Sequence, residues 1–333
     1  MNPQETAEIG RTGLHVSRLG LGGAPLAGLF KGVTQEQASE TIERYLGHGL
    51  HLFDTAPLYG SGLSESRLGK VLSTKDRDSF VLASKVGRLL VPDQDRPIDV
   101  WSEDLPPLRA TFDYSYDAVM RSLEESLERL KLDRIDILHI HDPDDHYEDA
   151  LKHAQKALIQ LRDEGVIRAV GAGMNQWEML ARFAREGDFD CFLLAGRYTL
   201  IDHSGLSELL PICEENRISI IVGGPYNSGI LASGAVKGAT FNYEPAAPAI
   251  MDRVAKVEAV CSRHEVPLKA AALQFPLAHP AIAAIIPGGR SPEEIDENYR
   301  MVAYPIPADF WSEIRTEGLV PDDAPTPRYE IKP

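Results

Sequence analysis

Four residues with acid–base side chains stand at or just after the ends of short apolar segments. Asp54 ends the second segment, Tyr59 follows five residues later, Lys85 ends the third and His141 the fourth. A lysine ammonium stabilises a nearby phenolate, and a carboxylate keeps that lysine charged and in position. We therefore expect the pKa of Tyr59 to be lowered, so that its hydroxyl exchanges protons near neutral pH. With a histidine to hydrogen-bond a substrate oxygen, these groups suit the interconversion of a carbonyl and an alcohol.

Each of these residues also has a purely structural explanation. A strand-end aspartate commonly caps a turn, a loop tyrosine commonly packs, and a strand-end lysine is commonly solvated. Their joint placement at adjacent strand ends favours the chemical interpretation. His139 shares a strand face with His141 but lies deeper, so we interpret it as a hydrogen-bonded core residue. The interconversion of a carbonyl and an alcohol also requires a hydride carrier, which none of these side chains can supply.

Strand and helix patterns alternate along the whole chain. Residues 8–9, a turn at 10–13 and residues 16–21 predict an N-terminal hairpin that leads into a strand. The predicted strands are 19–22, 50–53, 80–84, 135–140, 169–172, 191–194, 219–222 and 283–286. The predicted helices begin at Thr34, about Ser64 and Tyr116, include Leu151 to Leu161, and then cover 178–185, 206–215, 249–264 and 292–302.

Eight strands that are each followed by a helix predict a single α/β domain over residues 1–333, a (β/α)8 barrel with an N-terminal hairpin. An open doubly wound sheet is the alternative. Its glycine-rich turn should lead directly into a helix, whereas here the helix begins eleven residues after Gly23. Two long connections, 87–113 and 223–248, are expected to shape the catalytic mouth at the C-terminal face.

The overall composition excludes several classes of function. The chain has 34 basic and 50 acidic residues, a formal net charge of −16, which disfavours nucleic acid and membrane surfaces as partners. It has no apolar run of membrane-spanning length, no recognisable signal peptide and three scattered cysteines that suggest neither disulfides nor a metal site. We therefore expect a cytoplasmic protein that acts on a small molecule, of undetermined oligomeric state.

Residues 49–60 resemble the signature segment of the aldo-keto reductases, and the agreement continues through 84–85, 133–138, 165–168 and 286–298. That family has a single (β/α)8 barrel, closed at its bottom by an N-terminal hairpin, and binds NAD(P) without a Rossmann domain. The resemblance implies that Tyr59 is the general acid–base, that Asp54 and Lys85 tune it, and that His141 orients the substrate.

Residues 112–122, 139–142 and 171–176 are similar to the aldose 1-dehydrogenase branch of that family. The branch includes L-fucose (D-threo-aldose) and L-galactose dehydrogenases and a related pyridoxal 4-dehydrogenase. Its sugar-specific members oxidise a cyclic hemiacetal to a lactone with NAD(P)+. The resemblance therefore implies oxidation of the C1 hydroxyl of a cyclic aldose.

The resemblance also implies a set of cofactor contacts. Gly173 and Met174 stand where much of the family has Ser-Asn, so Asn175 is the substitute expected to hold the nicotinamide carboxamide. The loop 224–229 is expected to cover the pyrophosphate with backbone amides. The expected cofactor-binding residues are Asn175, Gly223, Gly224, Pro225, Asn227, Ser228, Gly288, Arg290, Glu294, Glu297 and Asn298.

The charge pattern at the adenosine end favours NAD. Family members that use NADP commonly have Lys or Arg near the positions of Gly288 and Glu294, where this chain has no side chain and an acidic one. A carboxylate at Glu294 would repel a 2′-phosphate. Arg290 leaves NADP as an allowed second cofactor.

The expected substrate contacts are Trp101, Tyr114, Asp142 and Tyr198. Four other functions remain open: a pyridoxal 4-dehydrogenase, an NADPH-dependent aldehyde or ketone reductase, a Schiff-base aldolase that uses Lys85, and a nicotinamide-sensing regulatory subunit. Asp54 disfavours the aldolase because it would keep Lys85 charged.

Overall fold

The computed structural model describes residues 1–93, 101 and 105–328. The chain begins with a hairpin of two antiparallel strands, β1 (Thr6–Ile9) and β2 (Leu14–Ser17). Gly10 and Gly13 adopt left-handed φ angles of 56° and 68° in its turn, which explains the glycines there. The predicted hairpin is thus confirmed, although residues 16–21 do not form one continuous strand.

Eight parallel strands follow as one sheet, in which they lie side by side in chain order around a barrel. Closure occurs between the first and last strands, because Leu19 bridges Ile285 and Gly22 bridges Gly288, both in parallel. The strands are β3 (Leu21–Gly22), β4 (Leu52–Asp54), β5 (Val81–Val86), β8 (Ile137–His141), β9 (Ala169–Met174), β10 (Cys191–Ala195), β11 (Ser219–Gly223) and β14 (Ile282–Ile286). The (β/α)8 barrel is therefore confirmed.

The helices lie between these strands and after the last one. They are α1 (Gln35–Gly47), α2 (Leu63–Leu72), α3 (Tyr116–Leu130), α4 (Tyr147–Asp149), α5 (Gln155–Asp163), α6 (Trp177–Glu186), α7 (Leu209–Asn216), α8 (Ile230–Ser233), α9 (Pro248–Arg263), α10 (Leu268–Gln274), α11 (Pro292–Ala303) and α12 (Ala308–Thr316). A π-helical segment, Ala150–Ala154, joins α4 to α5. As predicted, Thr34 caps α1, and its hydroxyl accepts from the Gln37 N–H at 3.1 Å. Of the described helices, none combines the length and apolar character that a bilayer crossing requires.

The inside of the barrel changes character from bottom to top. Side chains alternate between the two faces of a strand, so every second residue points inward. The apolar interior cluster consists of Ile9, Leu14, Val16, Leu52, Val81, Ala83, Ile137, Ala169, Cys191, Leu193, Ile221, Ala283, Ala284 and Ile286. Continuing upward with the same period, β4 presents Asp54, β5 presents Lys85, and β8 presents His139 and then His141. Polar groups therefore collect at the C-terminal end of the barrel, where active sites of this architecture lie.

The two long connections carry structure of their own. The first contains an antiparallel hairpin of β6 (Arg88–Pro92) and β7 (Leu108–Phe112), and its residues 94–100 and 102–104 lie outside the described part. The second contains α8 and a hairpin of β12 (Thr240–Phe241) and β13 (Glu244–Pro245). The strands of these hairpins are too short to give a recognisable sequence pattern, so the sequence predicted only two long connections.

Candidate active site

Lys85 and Asp54 form a buried ion pair at the ends of neighbouring strands. The Lys85 Nζ lies 2.8 and 2.9 Å from the two Asp54 carboxylate oxygens and 2.8 Å from the Thr55 carbonyl oxygen. Lys85 is 1 % exposed and Asp54 is 3 % exposed. Burial raises the pKa of the Asp54 carboxyl, and the adjacent Lys85 opposes that rise. All three ammonium protons thus have acceptors, which leaves the lysine poorly placed for Schiff-base chemistry.

Tyr59 lies in the turn between β4 and α2 and packs against the other predicted site residues. The Lys85 Nζ is 4.6 Å from the centre of the Tyr59 ring. The His141 ring stands perpendicular to it at 5.9 Å, and the Trp101 ring lies 6.2 Å away. The four expected acid–base residues therefore form one cluster, with Trp101 beside it.

The protonation of Tyr59 differs from the expectation. Burial raises its pKa well above the usual value, and the charge of Asp54 raises it further. The expectation of a lowered pKa assumed that the lysine ammonium faces the phenol oxygen. Instead, the Lys85 protons are directed at Asp54 and Thr55, and its charge lies near the face of the ring. Tyr59 is accordingly a protonated hydroxyl at neutral pH in this structure.

His141 is a neutral hydrogen-bonding group. It is 6 % exposed, and burial, followed by the charges of Lys85 and Arg88, lowers its pKa well below the usual value. A neutral imidazole offers one N–H donor and one acceptor nitrogen. Its Nδ1 has no hydrogen-bond partner within the described ranges, and its Nε2 lies 3.6 Å from an Asp142 carboxylate oxygen. His141 thus retains capacity to bind a substrate oxygen beside Tyr59.

His139 lies in the core, as expected, because it is fully buried. The expected hydrogen bonds are not found, since neither ring nitrogen has a partner among the described residues. Burial lowers its pKa to about 3, with a further effect from Lys85. Gly171 makes room for the ring, since a Cβ at that position would lie 2.1 Å from the His139 Nδ1.

An ion pair at the rim was missed by the sequence analysis. Arg88, the first residue of β6, lies with its terminal nitrogen 2.9 Å from an Asp142 carboxylate oxygen. Asp142 was an expected substrate contact, and the structure places it next to His141. The sequence does not identify Arg88 as a site residue, because the β6–β7 hairpin determines its position.

Two of the expected substrate contacts do not face the cluster. Tyr114 is 3 % exposed, and its hydroxyl donates to the carbonyl oxygens of His141 at 2.7 Å and Asp142 at 2.9 Å, so it supports the strand end from behind. Tyr198 is fully buried and packs against Phe275 and His279 at 5.4 Å. Both aromatic residues therefore have structural positions, which the sequence could not distinguish from pocket positions.

The loop after β11 has features that fit a dinucleotide. Gly223 ends β11, and Gly224, Asn227 and Ser228 then adopt left-handed φ angles of 56°, 45° and 56°, a backbone form that turns amide groups toward an anion. Asn227 is 3 % exposed, and its buried side-chain oxygen is without a partner among the residues described. Asn175 follows β9 directly at the same end of the barrel. These groups suit a ligand rich in hydrogen-bonding atoms.

This loop is fixed to the last βα unit. The Tyr226 hydroxyl donates to the Asn298 side-chain oxygen at 2.7 Å, and the Asn298 amide donates to the Gly288 carbonyl at 3.4 Å. These hydrogen bonds connect the loop after β11 to the loop after β14, and both loops contain expected cofactor-binding residues.

The acidic residues of α11 are paired. Glu294 accepts from the Arg290 backbone N–H at 2.9 Å and lies 3.3 Å from its guanidinium, and Glu297 pairs with Lys269 at 2.7 Å. Glu294 does not present an unpaired charge to a 2′-phosphate, contrary to the expectation from the sequence. The Arg290 guanidinium balances the negative charge of the Glu294 carboxylate.

Comparisons with known proteins agree with the geometry. Residues 18–316 match the model of the Aldo/keto reductase family. The chain is 40 % identical to a D-threo-aldose 1-dehydrogenase of Pseudomonas sp., over 93 % of this chain and 96 % of that one. It is 38 % identical to a pyridoxal 4-dehydrogenase of Microbacterium luteolum, over 96 % and 99 %. The holo form of aldo-keto reductase AKR11C1 from Bacillus halodurans superposes with a TM-score of 0.75 and 25 % identity, over 98 % and 99 %. The chain therefore belongs to the aldo/keto reductase family and is an NAD(P)-dependent oxidoreductase.

Proposed function

We propose that this enzyme oxidises the C1 hydroxyl of a cyclic aldose to the lactone, with Tyr59 as the acid–base residue and NAD+ as the preferred acceptor. The observation that carries the proposal is the cluster of Tyr59 with neutral His141 above the Lys85–Asp54 pair. The similarity to a D-threo-aldose 1-dehydrogenase supports a sugar as the donor. Glu294 supports NAD less strongly than its sequence position suggested, and NADP remains an allowed second cofactor.

In this proposal each residue has one task. His141 donates its ring N–H to the C1 oxygen and orients it. The Tyr59 oxygen, once deprotonated, accepts the C1 hydroxyl proton, and Lys85 lies against its ring with Nζ 4.6 Å from the ring centre. Asp54 holds Lys85 in place. A bound nicotinamide cofactor would supply the hydride acceptor for C1, so the products would be the lactone, the reduced cofactor and one proton.

The same chain offers groups to hold that cofactor. Asn175, at the end of β9, would hold the nicotinamide carboxamide. The backbone of 224–229 and the unpartnered Asn227 oxygen would contact the pyrophosphate and ribose region. Arg290, Glu294 and Asn298 would line the adenosine end.

Pyridoxal 4-dehydrogenase is the second candidate function. The aromatic ring of Trp101 next to Tyr59 could stack on a pyridine ring as well as on the apolar face of a sugar. Because the chain is 38 % identical to the Microbacterium enzyme, pyridoxal is included among the test substrates.

Nicotinamide absorbance during incubation with NAD+ or NADP+ tests the proposal. The substrates are L-fucose, L-galactose, D-arabinose and pyridoxal, and lactone formation is checked by mass spectrometry. Reduction of the cofactor with aldoses supports the proposal. Turnover of pyridoxal alone would establish the second candidate, and activity only toward aldehydes with NADPH would make the enzyme a reductase.

A further inference from the structure

We propose that Arg88 and Asp142 together bind hydroxyl groups on the carbons next to the reacting carbon, and thereby select polyhydroxylated substrates over simple alcohols and aldehydes. This inference rests on the proposed function, because it uses the placement of the C1 oxygen at His141. It assigns a substrate-binding role to Arg88 and a specific partner to Asp142.

The position of the pair follows from its distances to His141. The Asp142 Oδ2 lies 2.9 Å from the Arg88 guanidinium and 3.6 Å from the His141 Nε2. Oxygens on adjacent sugar carbons are separated by about one hydrogen-bond length, roughly 3 Å. A substrate whose C1 oxygen is bound by His141 therefore brings its neighbouring hydroxyl within reach of the Asp142 carboxylate.

The pair has hydrogen-bonding capacity to spare. Arg88 binds Asp142 through its Nη2, and its buried Nε has no partner among the residues described. Side-chain exposures of 19 % and 21 % show that both groups keep access to a ligand. Each hydroxyl of a diol can donate to a carboxylate and accept from a guanidinium, so an ion pair complements two neighbouring hydroxyls in both roles.

The surrounding structure holds the pair rigidly. Asp142 adopts a left-handed φ of 39°, which is unusual for a residue other than glycine and is retained mainly where the surroundings enforce it. The Tyr114 hydroxyl enforces it by donating to the carbonyl oxygens of both His141 and Asp142. On the other side, the Arg88 guanidinium packs over the Phe112 ring at 4.7 Å. The two side chains are thus positioned before substrate arrives, which lowers the entropic cost of binding.

The Tyr114 contact also fixes the start of the β6–β7 hairpin. Gly87 has a φ of 98°, and a Cβ there would lie 2.2 Å from the Tyr114 ring. The chain therefore passes directly over that ring and delivers Arg88 to the rim. One tyrosine positions both halves of the ion pair.

The test compares a sugar with its deoxy analogue in matched variants. We would measure kcat/KM with NAD+ for L-fucose and for 2-deoxy-L-fucose in the wild type, Arg88→Met and Asp142→Asn. Arg109→Met is the control, because Arg109 forms an ion pair with Asp93 in the same hairpin but outside the cluster around Tyr59. NAD+ affinity, measured separately, shows whether each variant is folded.

We expect the wild type to lose roughly ten- to a hundredfold in kcat/KM on removal of the hydroxyl, the usual effect of an unmade hydrogen bond to a charged group. The Arg88 and Asp142 variants should lose a similar factor in kcat/KM with L-fucose and much less with 2-deoxy-L-fucose. In these variants the ratio of kcat/KM for L-fucose to that for the deoxy sugar should therefore approach one. Arg109→Met should keep the wild-type ratio.

The experiment distinguishes a failure of the Arg88–Asp142 inference from a failure of the proposed function. If the wild type turns over aldoses but all variants keep its ratio, the Arg88–Asp142 inference is wrong and the proposed function stands. If the wild type reduces NAD+ with no aldose at all, the proposed function fails, and the inference fails with it.

Discussion

At the scale of single residues, the raised pKa of Tyr59 makes the two directions of the reaction respond differently to pH. In the proposed mechanism oxidation needs the deprotonated Tyr59 hydroxyl, and the deprotonated fraction increases about tenfold per pH unit below the pKa. We expect kcat/KM for aldose oxidation to rise from pH 7 to about pH 10, while reduction in the reverse direction stays nearly constant. Steady-state kinetics in both directions check this, and a plateau in oxidation from neutral pH would contradict it.

The neutral state of His141 leads to a second prediction. His141→Ala should lower kcat/KM by about a hundredfold, because a donor to the reacting oxygen is removed, while cofactor affinity stays unchanged. His15→Ala, an exposed histidine at the opposite end of the barrel, is the matched control. An unchanged kcat/KM in the His141 variant would remove this residue from substrate orientation.

The residues that could be predicted are those whose position depends on local pattern. Asp54, Lys85 and His141 each end a short apolar segment, so the barrel brings them together. The protonation of Tyr59 could not be predicted, because its raised pKa depends on the burial of its side chain and on the charge of Asp54 nearby. Arg88 was missed because a contact between β6 and β7 places it.

At the scale of elements, Tyr114 connects the β6–β7 hairpin to the end of β8. Tyr114→Phe removes the hydroxyl whose single proton is shared between two backbone carbonyls, and we expect a loss of about 1–3 kcal/mol in the free energy of unfolding. KM for the sugar should increase more than kcat falls, because Asp142 is released. Tyr116→Phe is the control, since the Tyr116 hydroxyl binds only the exposed Gln160 side chain among described contacts. Equal effects of the two substitutions in urea unfolding would contradict this role.

Gly171 and His139 are packed tightly across β9 and β8. Gly171→Ala should lower the free energy of unfolding by about 1–3 kcal/mol, because its Cβ would overlap the buried ring. His139→Ala in the same chain should recover much of that loss. Gly32→Ala is a control, since a Cβ there meets nothing within 4 Å. Additive effects in the double variant would show that the contact is not responsible.

The existence of the helices and strands followed from periodicity, whereas their details did not. The residues predicted as one helix around Leu151 to Leu161 divide into α4, a π-helical segment and α5. That irregularity changes the hydrogen-bond register without changing which residues are apolar, so no sequence pattern reports it.

At the scale of the whole molecule, burial lowers the pKa of five of the described histidines, and this links stability to pH. The pKa of His139 falls to about 3, those of His203 and His279 fall to about 4, and those of His51 and His141 are lowered as well. The unfolded chain binds protons at these residues below about pH 6.5 that the folded protein does not, so stability falls as the pH falls. Each histidine contributes up to about 1.4 kcal/mol per pH unit.

We therefore expect the free energy of unfolding to decrease from pH 7 to pH 5, and to decrease less steeply in His279→Gln. The difference between the two slopes isolates one histidine from the carboxyl groups that also titrate. Urea unfolding at a series of pH values measures it, and identical slopes would contradict a neutral buried His279.

The barrel itself was predictable because eight βα units repeat along the chain. The residues that close it could not be named from the sequence, since Leu19 and Gly22 meet Ile285 and Gly288 from opposite ends of the chain. That closure brings the loop after β3 next to the loop after β14, where Gly288 lies against Pro25.

The most direct test of the account follows the hydrogen at C1. The enzyme would be incubated with NAD+ and L-fucose that carries deuterium at C1, and the products would be analysed by NMR. We predict deuterium at C4 of the reduced nicotinamide and an unlabelled lactone, with no transfer by Tyr59→Phe although that variant still binds cofactor. Reduced cofactor without deuterium, or transfer at the wild-type rate by Tyr59→Phe, would contradict the account.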